Sequence, residues 1–110
     1  MANTFKLVTK SGAATSAGTA QTIFTATTKT VLLGISVANI ISNSITMDIQ
    51  METDTGTNND VYIGKGIPVP SGASLNALTG KIIMENTDVL KVTASADNSI
   101  DVALSLMEIT

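Results

Sequence analysis

The sequence predicts an all-β fold, a single antiparallel β-sandwich that is jelly-roll-like, with eight or nine short strands. Short runs of Val, Ile, Leu and Thr follow one another along the chain, and clusters of Gly, Ser, Asn and Asp separate them. No segment carries a convincing helical pattern, and no repeat of solenoid or propeller length is present. A length of 110 residues suits one domain, and many short strands favour two sheets packed face to face.

The first twenty residues are predicted to contain one strand followed by a flexible arm. Thr4–Lys10 has the composition of a strand, whereas residues 11–20, SGAATSAGTA, are almost all small. The Gly, Ser and Thr residues among the alanines weaken any helix there. We therefore divide the chain into residues 1–20, the first strand and flexible N-terminal arm, and residues 21–110, the β-sandwich domain.

Three strands are predicted between residues 21 and 52. Gln21–Thr25 is short, and Thr30–Asn39 is almost continuously apolar, which predicts a strand buried on both faces. In Ile45–Glu52 the apolar and polar residues alternate strictly. This alternation predicts one face in the core and the other in solvent or in a polar interface.

The second half of the chain continues with short strands. Val61–Ile63 is one of them, and Gly64 and Gly66 behind it predict a bulge. Pro68 and Pro70 cannot donate to a central ladder, so this segment is predicted to be a sheet edge or a connection between sheets. The remaining predicted strands are Ser74–Leu78, Lys81–Glu85, Asp88–Ala94 and Ser99–Ile109.

Charged residues are scarce in this sequence. They make up 14% of the chain, against about 25% in typical soluble domains, while the hydrophobic fraction of 44% is ordinary. Thr, Ser and Asn supply the polar surface instead, and these neutral groups tolerate close contact with another protein. The balance favours a subunit that is partly buried in an assembly; a Thr-rich β domain that is simply soluble is the alternative.

The composition disfavours several classes of function. All six basic residues are Lys, the net charge is −3, and the aromatic residues are two Phe and one Tyr, which disfavours nucleic-acid binding. The absence of Cys and His excludes disulfides, Cys/His zinc sites and His-based triads. The N-terminus lacks the pattern of a signal peptide, and the longest apolar stretch, Val31–Ile41, is too interrupted to span a membrane.

Asp54-Thr55-Gly56 matches the tripeptide of aspartic proteases, including the retroviral kind in which two subunits share an Asp dyad. In that class an apolar strand precedes the tripeptide and buries the dyad. Here the tripeptide follows the end of an amphipathic strand and is surrounded by Thr, Asn and Asp, which favours a surface turn. The protease stays an alternative hypothesis, and no catalytic residue is assigned.

The same loop offers oxygen ligands for a calcium ion but lacks the EF-hand spacing. A turn in which Asn and Asp bond their own backbone is the favoured interpretation. The four candidate ligands are Asp54, Asn58, Asn59 and Asp60.

Gly64-Lys65-Gly66 resembles part of a phosphate-binding loop. The Ile67-Pro68 that follows denies it the helix N-terminus on which such loops depend, so a bulge between strands is favoured. We predict no metal site and no other cofactor.

Nearly three quarters of the chain, at its C-terminal end, resembles a small virion protein of tailed bacteriophages, notably phages of marine bacteria and cyanobacteria. Its members share a Pro-x-Gly turn with an apolar strand, a Gly-Lys-apolar-apolar-x-Glu strand, an Asp-x-Leu-Lys-Val strand and a closing Asp-Val-x-Leu-Ser-x-x-Glu-Ile strand. The resemblance begins at TVLLGISVANI and covers Thr30–Thr110. The matching positions are Pro70 and Gly72, Gly80–Glu85, Asp88–Val92 and Asp101–Ile109.

This resemblance implies a non-enzymatic structural subunit of the virion, made in the host cytoplasm. We expect a head decoration or cement subunit that binds the major capsid protein or other virion subunits and stabilises the lattice. A homo-oligomer is expected, and a trimer suits the local threefold positions of capsids. No nucleic acid, membrane or small-molecule substrate is expected as a partner. The expected contact residues are Phe5, Leu7, Thr15, Tyr62, Pro68 and Pro70.

Three alternatives remain open at this point. A neck or tail ring or fibre subunit belongs to the same structural class and differs in copy number per particle. A carbohydrate-binding module would need exposed aromatic side chains, of which the chain has few. The retroviral-type aspartic protease is the third.

Overall fold

The computed structural model describes residues 3–13, 15–53, 58–78 and 80–109. All regular elements within these ranges are β-strands, as the sequence predicts, and each predicted strand has a counterpart. The strands are β1 (Asn3–Ala13), β2 (Gln21–Thr25), β3 (Thr30–Asn39), β4 (Ile45–Glu52), β5 (Val61–Val69), β6 (Ser74–Asn76), β7 (Ile82–Met84), β8 (Val89–Ala94) and β9 (Ile100–Ile109).

The strands form two antiparallel sheets. Sheet A has the order β1-β9-β3-β6, with β7 also paired to β3, and sheet B has the order β2-β8-β4-β5. The first strand thus pairs with the last and the second with the one before it, and so on inward to the pair β4 and β5. This nested pairing is the strand order of a jelly roll, in which β6 and β7 lie along two halves of β3 as one interrupted strand.

The core lies between the two sheets and consists of alternate residues from each strand. On β4 the predicted alternation is confirmed, because Ile45, Met47, Ile49 and Met51 are buried while the residues between them are not. On β9 the inner residues from Ile100 to Leu106 are buried in the same way. Each fully buried Leu, Ile or Met contributes about 1.5–3 kcal/mol relative to exposure.

Strand β3 differs from its prediction. Its inner side chains, among them Leu32, Ile35 and Val37, are buried, but Val31 and Leu33 on the other side are only half-buried and Ser36 is exposed. The prediction of burial on both faces was therefore wrong for the single chain. The physical reason is that sheet B covers one side of sheet A, and none of the described strands lies over the other side.

The N-terminal strand is longer than predicted and belongs to the sandwich. β1 runs to Ala13 and pairs with β9 along its length, with a bulge between Lys10 and Ala13. The turn behind it is tied to the loop after β8, where the Ala17 amide donates to Asp97 Oδ1 at 2.6 Å. It is also tied to the end of β8, since the Gly18 amide donates to the Ala94 carbonyl at 2.9 Å. Sheet A thus includes chain that lies before the predicted boundary at residue 20.

Asn39 joins three segments at one end of the sandwich. It is 4% exposed at the end of β3, and its side-chain amide donates to the carbonyls of Asn43 and Val69 at 2.8 and 3.0 Å. Its Oδ1 accepts the Ile41 amide at 3.0 Å. These bonds satisfy the buried Val69 carbonyl at the end of β5 and two part-buried backbone groups of the β3–β4 turn.

The substitution Asn39→Leu is expected to lower the free energy of unfolding by about 2–4 kcal/mol, because it leaves two carbonyls and one amide without their partner. Denaturant unfolding followed by circular dichroism measures the change. Asn43→Ala is the matched control, since Asn43 is exposed and takes part in this network through its backbone carbonyl. Equal stabilities of the two variants would contradict this role of Asn39.

Candidate interaction surfaces

Asp54-Thr55-Gly56, the tripeptide that matches aspartic proteases, lies outside the described residues. β4 ends just before it at Glu52, and the loop returns to β5 at Val61. The Thr53 amide donates to Asp60 Oδ1 at 2.8 Å, a bond that ties the two sides of the loop together. The protease hypothesis therefore stays a prediction.

The candidate calcium ligands are only partly described. Asp54 lies outside the described residues, and Asn58, Asn59 and Asp60 are exposed. Asp60 Oδ1 accepts the Thr53 amide, as expected for a turn in which Asp bonds nearby backbone. Glu52, at the end of β4, forms an ion pair with Lys91, with Nζ 3.0 Å from Oε1. Among the described residues, no three acidic, His or Cys side chains are grouped so that they would hold a metal ion.

Gly64-Lys65-Gly66 lies within the edge strand β5, where the pairing with β4 is irregular, so the predicted bulge is confirmed. The Gly66 amide donates to Asp48 Oδ1 at 2.7 Å, and Lys65 Nζ lies 3.4 Å from Asp48 Oδ2. A carboxylate thus occupies the donors that a phosphate would need. Lys65 Nζ also lies 4.5 Å from the centre of the Tyr62 ring, where a cation–π contact helps to hold the ring.

The outer face of sheet A, the side turned away from sheet B, carries a row of apolar side chains. Residues directly opposite one another in neighbouring antiparallel strands share a face. Phe5 pairs with Met107, Met107 with Val31 and Val31 with Ile83, so the row crosses four strands. Phe5 is 74% exposed and Ile83 is 60% exposed.

Two further residues complete this apolar surface, which we call the ridge. Leu7 is 67% exposed and lies one step along β1 from Phe5, on the same face. Leu33 lies at a bulge of β3 and lines a shallow groove of about 370 Å³ together with Phe5, Leu7 and Ser105. The ridge consists of Phe5, Leu7, Val31, Leu33, Ile83 and Met107.

The other half of the same face carries small side chains. A shallow groove of about 280 Å³ lies there, with Thr9, Ser36, Ala38 and Ala103 along it and the charged residues Lys10 and Asp101 also in its lining. We call this region the small-residue groove. Asp101 is the one charged residue that the register places on this face of β1, β3, β7 and β9, and its Oδ1 accepts the Gly12 amide at 2.9 Å.

The edge of sheet A at β1 is protected against further strand pairing. Lys6 and Lys10 lie opposite Leu106 and Val102, which places them on the inner side of β1 at the margin of the sandwich. Both are exposed, and Lys6 Nζ lies 3.8 Å from Glu108 Oε2. Inward-pointing lysines are a common device that prevents edge-to-edge association. The open surface of sheet A is therefore its outer face and not its edge.

The remaining predicted contact residues lie elsewhere. Tyr62 and Pro68 are exposed on β5, opposite Gln50 and Thr46, and so share the outer face of sheet B at its free edge. Pro70 is exposed just after this strand. We call these three residues the β5 surface. Thr15 lies apart from both groups, in the turn after β1, where its amide donates to Gln21 Oε1 at 3.2 Å.

The structure therefore brings Phe5 and Leu7 together and adds four residues that sequence reasoning missed. Val31 and Leu33 carried a signal, because β3 is apolar at both parities. Met107 and Ile83 carried none, because their position in the row depends on which strands pair with β3.

None of the described elements is a helix with the length and apolar character needed to cross a membrane. Comparison with known proteins finds no matching protein family, no matching curated protein and no matching solved structure.

Proposed function

We propose that this chain is a non-enzymatic structural subunit of a tailed-phage particle, where it decorates the head. In this role it binds the lattice of the major capsid protein and stabilises it by adding contacts between subunits. The chain acts as a homo-oligomer and needs no cofactor.

The observation that carries this proposal is the open ridge on sheet A. Phe5, Leu7 and Ile83 are each more than half exposed and lie on one face, where the half-buried Met107 and Val31 connect Phe5 to Ile83. The chain has few charges to keep such a surface in solution. Contiguous exposed apolar patches usually mark surfaces at which a protein meets another protein. A subunit of an assembly is the simplest explanation of this surface.

The kind of assembly follows from the fold and from the resemblance together. Jelly rolls occur in viral capsid proteins and in lectins, and the fold alone does not decide between them. The resemblance of Thr30–Thr110 to phage virion proteins favours the particle. A lectin role is disfavoured because aromatic residues, which stack on sugar rings, make up only 3% of the chain.

The β5 surface is the region that we assign to the capsid lattice. Tyr62 is 50% exposed and is held by Lys65, and the fixed backbone of Pro68 and Pro70 limits the entropy lost on binding. A specific contact of ordinary size buries about 800 Å² on each partner. Many copies on one lattice then stabilise the particle together.

The copy number of this chain in purified particles tests the proposal. We expect hundreds of copies, in a simple ratio to the major capsid protein, when both are quantified by mass spectrometry with labelled peptide standards. The major tail protein of the same particles serves as an internal reference for tail components.

A few copies up to a few tens would contradict the decoration role and indicate a neck or tail subunit. Complete absence from the particles would overturn the virion proposal and return attention to the carbohydrate-binding and protease alternatives.

Tyr62→Ala is expected to weaken rebinding to particles that lack the chain by ten-fold or more, because anchoring aromatic residues dominate interfaces of this kind. Sedimentation of particles with increasing amounts of purified chain measures the occupancy. Thr22→Ala is the matched control: Thr22 lies opposite Lys91 and is exposed on the same face of sheet B, at the opposite edge. Wild-type occupancy for Tyr62→Ala would remove the β5 surface from the proposed contact.

A further inference from the structure

We propose that two copies of this chain form a symmetric dimer through the outer face of sheet A, with the ridge of each copy seated in the small-residue groove of the other. The partner on this face is a second copy of the chain itself. This inference goes beyond the proposed virion role and does not depend on it, because it concerns only the chain and its own surface.

The size of the face suits a stable dimer. The eight register pairs from Asn3 with Ile109 to Lys10 with Val102 extend over ~27 Å, and four strands at their usual spacing cover ~19 Å. The projected area is thus roughly 500 Å², and the relief of the protruding side chains raises the accessible area further. This is of the order of the ~800 Å² that each partner of a standard interface buries.

The distribution of large and small side chains favours a second copy over an unrelated partner. In the proposed dimer, sheet A of one copy faces sheet A of the other. A twofold axis that lies between these two facing sheets, parallel to them and perpendicular to the strands, places each strand over its own copy, running in the opposite direction. Ser105, Leu7 and the backbone of Gly34 lie at the level of this axis, because the register aligns them with one another. Leu7, the ridge residue on β1 nearest the groove, therefore meets Leu7 of the other copy.

The ridge residues then face the groove residues of the other copy in register. Counting equal steps from the axis, Met107 faces Ala103 and Phe5 faces Thr9. By the same count on β3, Val31 faces Ser36. Large side chains thus meet small ones in each strand, which is the interdigitation that facing sheets require. An isologous contact repeats every such pair twice.

The pairing continues beyond β3. Ile83 pairs with Val31, and Asn76 pairs with Ser36, so the two residues lie on the same outer face at opposite sides of the axis. Ile83 of one copy therefore faces Asn76 of the other. The match of large to small side chains thus extends across the sheet on either side of the axis, and at the axis itself Leu7 meets its own copy.

The charged residues of sheet A permit a dimer through its outer face and disfavour a dimer formed by strand pairing at the β1 edge. Asp101 lies at the far end of the groove and already accepts the Gly12 amide, so the middle of the face carries no charge that would repel its own copy. Lys6 and Lys10 point to the other side of β1, where they block pairing at the edge and leave the face open. The centre of the face is thus uncharged and self-complementary, and the charged residues Asp101 and Lys10 lie at the end and the margin of the groove.

The test uses the purified full-length chain and analytical ultracentrifugation over a concentration series. We expect a species of twice the 11.3 kDa chain mass at micromolar concentration. Leu7→Asp and Leu7→Lys are each expected to raise the dissociation constant at least 100-fold, because the twofold axis brings residue 7 of both copies together and so doubles a like charge. Thr22→Asp, on the exposed outer face of sheet B, is the control and should leave the dimer intact.

An equimolar mixture of Leu7→Asp and Leu7→Lys is expected to restore a dimer that contains one chain of each kind, since the opposite charges then face each other across the axis. Circular dichroism and thermal unfolding establish that both variants are folded, which is expected because Leu7 is 67% exposed. A wild-type chain that is monomeric up to millimolar concentration would overturn the proposal. A trimer, or a mixture that fails to restore the dimer, would overturn it as well, because neither fits a twofold contact through this face.

These outcomes are independent of the virion role. The dimer is measured on the isolated chain, and the copy number is measured on particles. A monomeric chain that is abundant in particles would refute the dimer, and with it the homo-oligomer, but would leave the virion role standing. A dimeric chain that is absent from particles would refute the virion role alone.

Discussion

In a two-layer sandwich each sheet buries only one of its faces. The core and the open surfaces of this protein both follow from that constraint. The residues of one parity fill the space between the sheets, where Leu32, Ile49 and Leu104 are fully buried. The residues of the opposite parity must face outward, whatever their chemistry. On sheet B these are mostly polar, such as Asp48 and Lys91, which suits solvent. On sheet A they include the ridge, and a sheet with two apolar faces needs a cover that one chain does not provide.

The two proposed surfaces are compatible because they lie on different sheets. A dimer through the outer face of sheet A leaves both β5 surfaces free, since Tyr62 lies on the outer face of sheet B. Such a dimer presents two lattice contacts in a fixed geometry. The second contact then forms at a high effective concentration, so that modest individual affinities add up to strong binding. The jelly roll supports this arrangement because its β-sheet framework holds both surfaces in position.

Most strand positions were predictable because alternation, turn residues and prolines act locally. The prediction for β5 was too short, since the strand continues through the bulge from Ile63 to Val69. β2 and β3 begin and end where the sequence predicts, and the position of Pro68 on an edge strand follows from its missing amide hydrogen. The end of β1 was not predictable in this way, because the small residues after Lys10 are compatible with both an arm and a bulged strand. Pairing with β9, almost the whole chain away, decided between them.

The sequence by itself determined the fold class, the parity of β4 and the scarcity of charge, since these depend on neighbouring residues and on composition. The sequence also shows that β3 is apolar on both sides. From this pattern we predicted burial of both sides, whereas within the chain sheet B covers only one of them. Only the tertiary structure decided which strands lie beside β3, and hence that Phe5, Met107, Val31 and Ile83 form one continuous row. The reason is that sheet registers join residues far apart in the chain, and no local pattern records which distant strand supplies the neighbour.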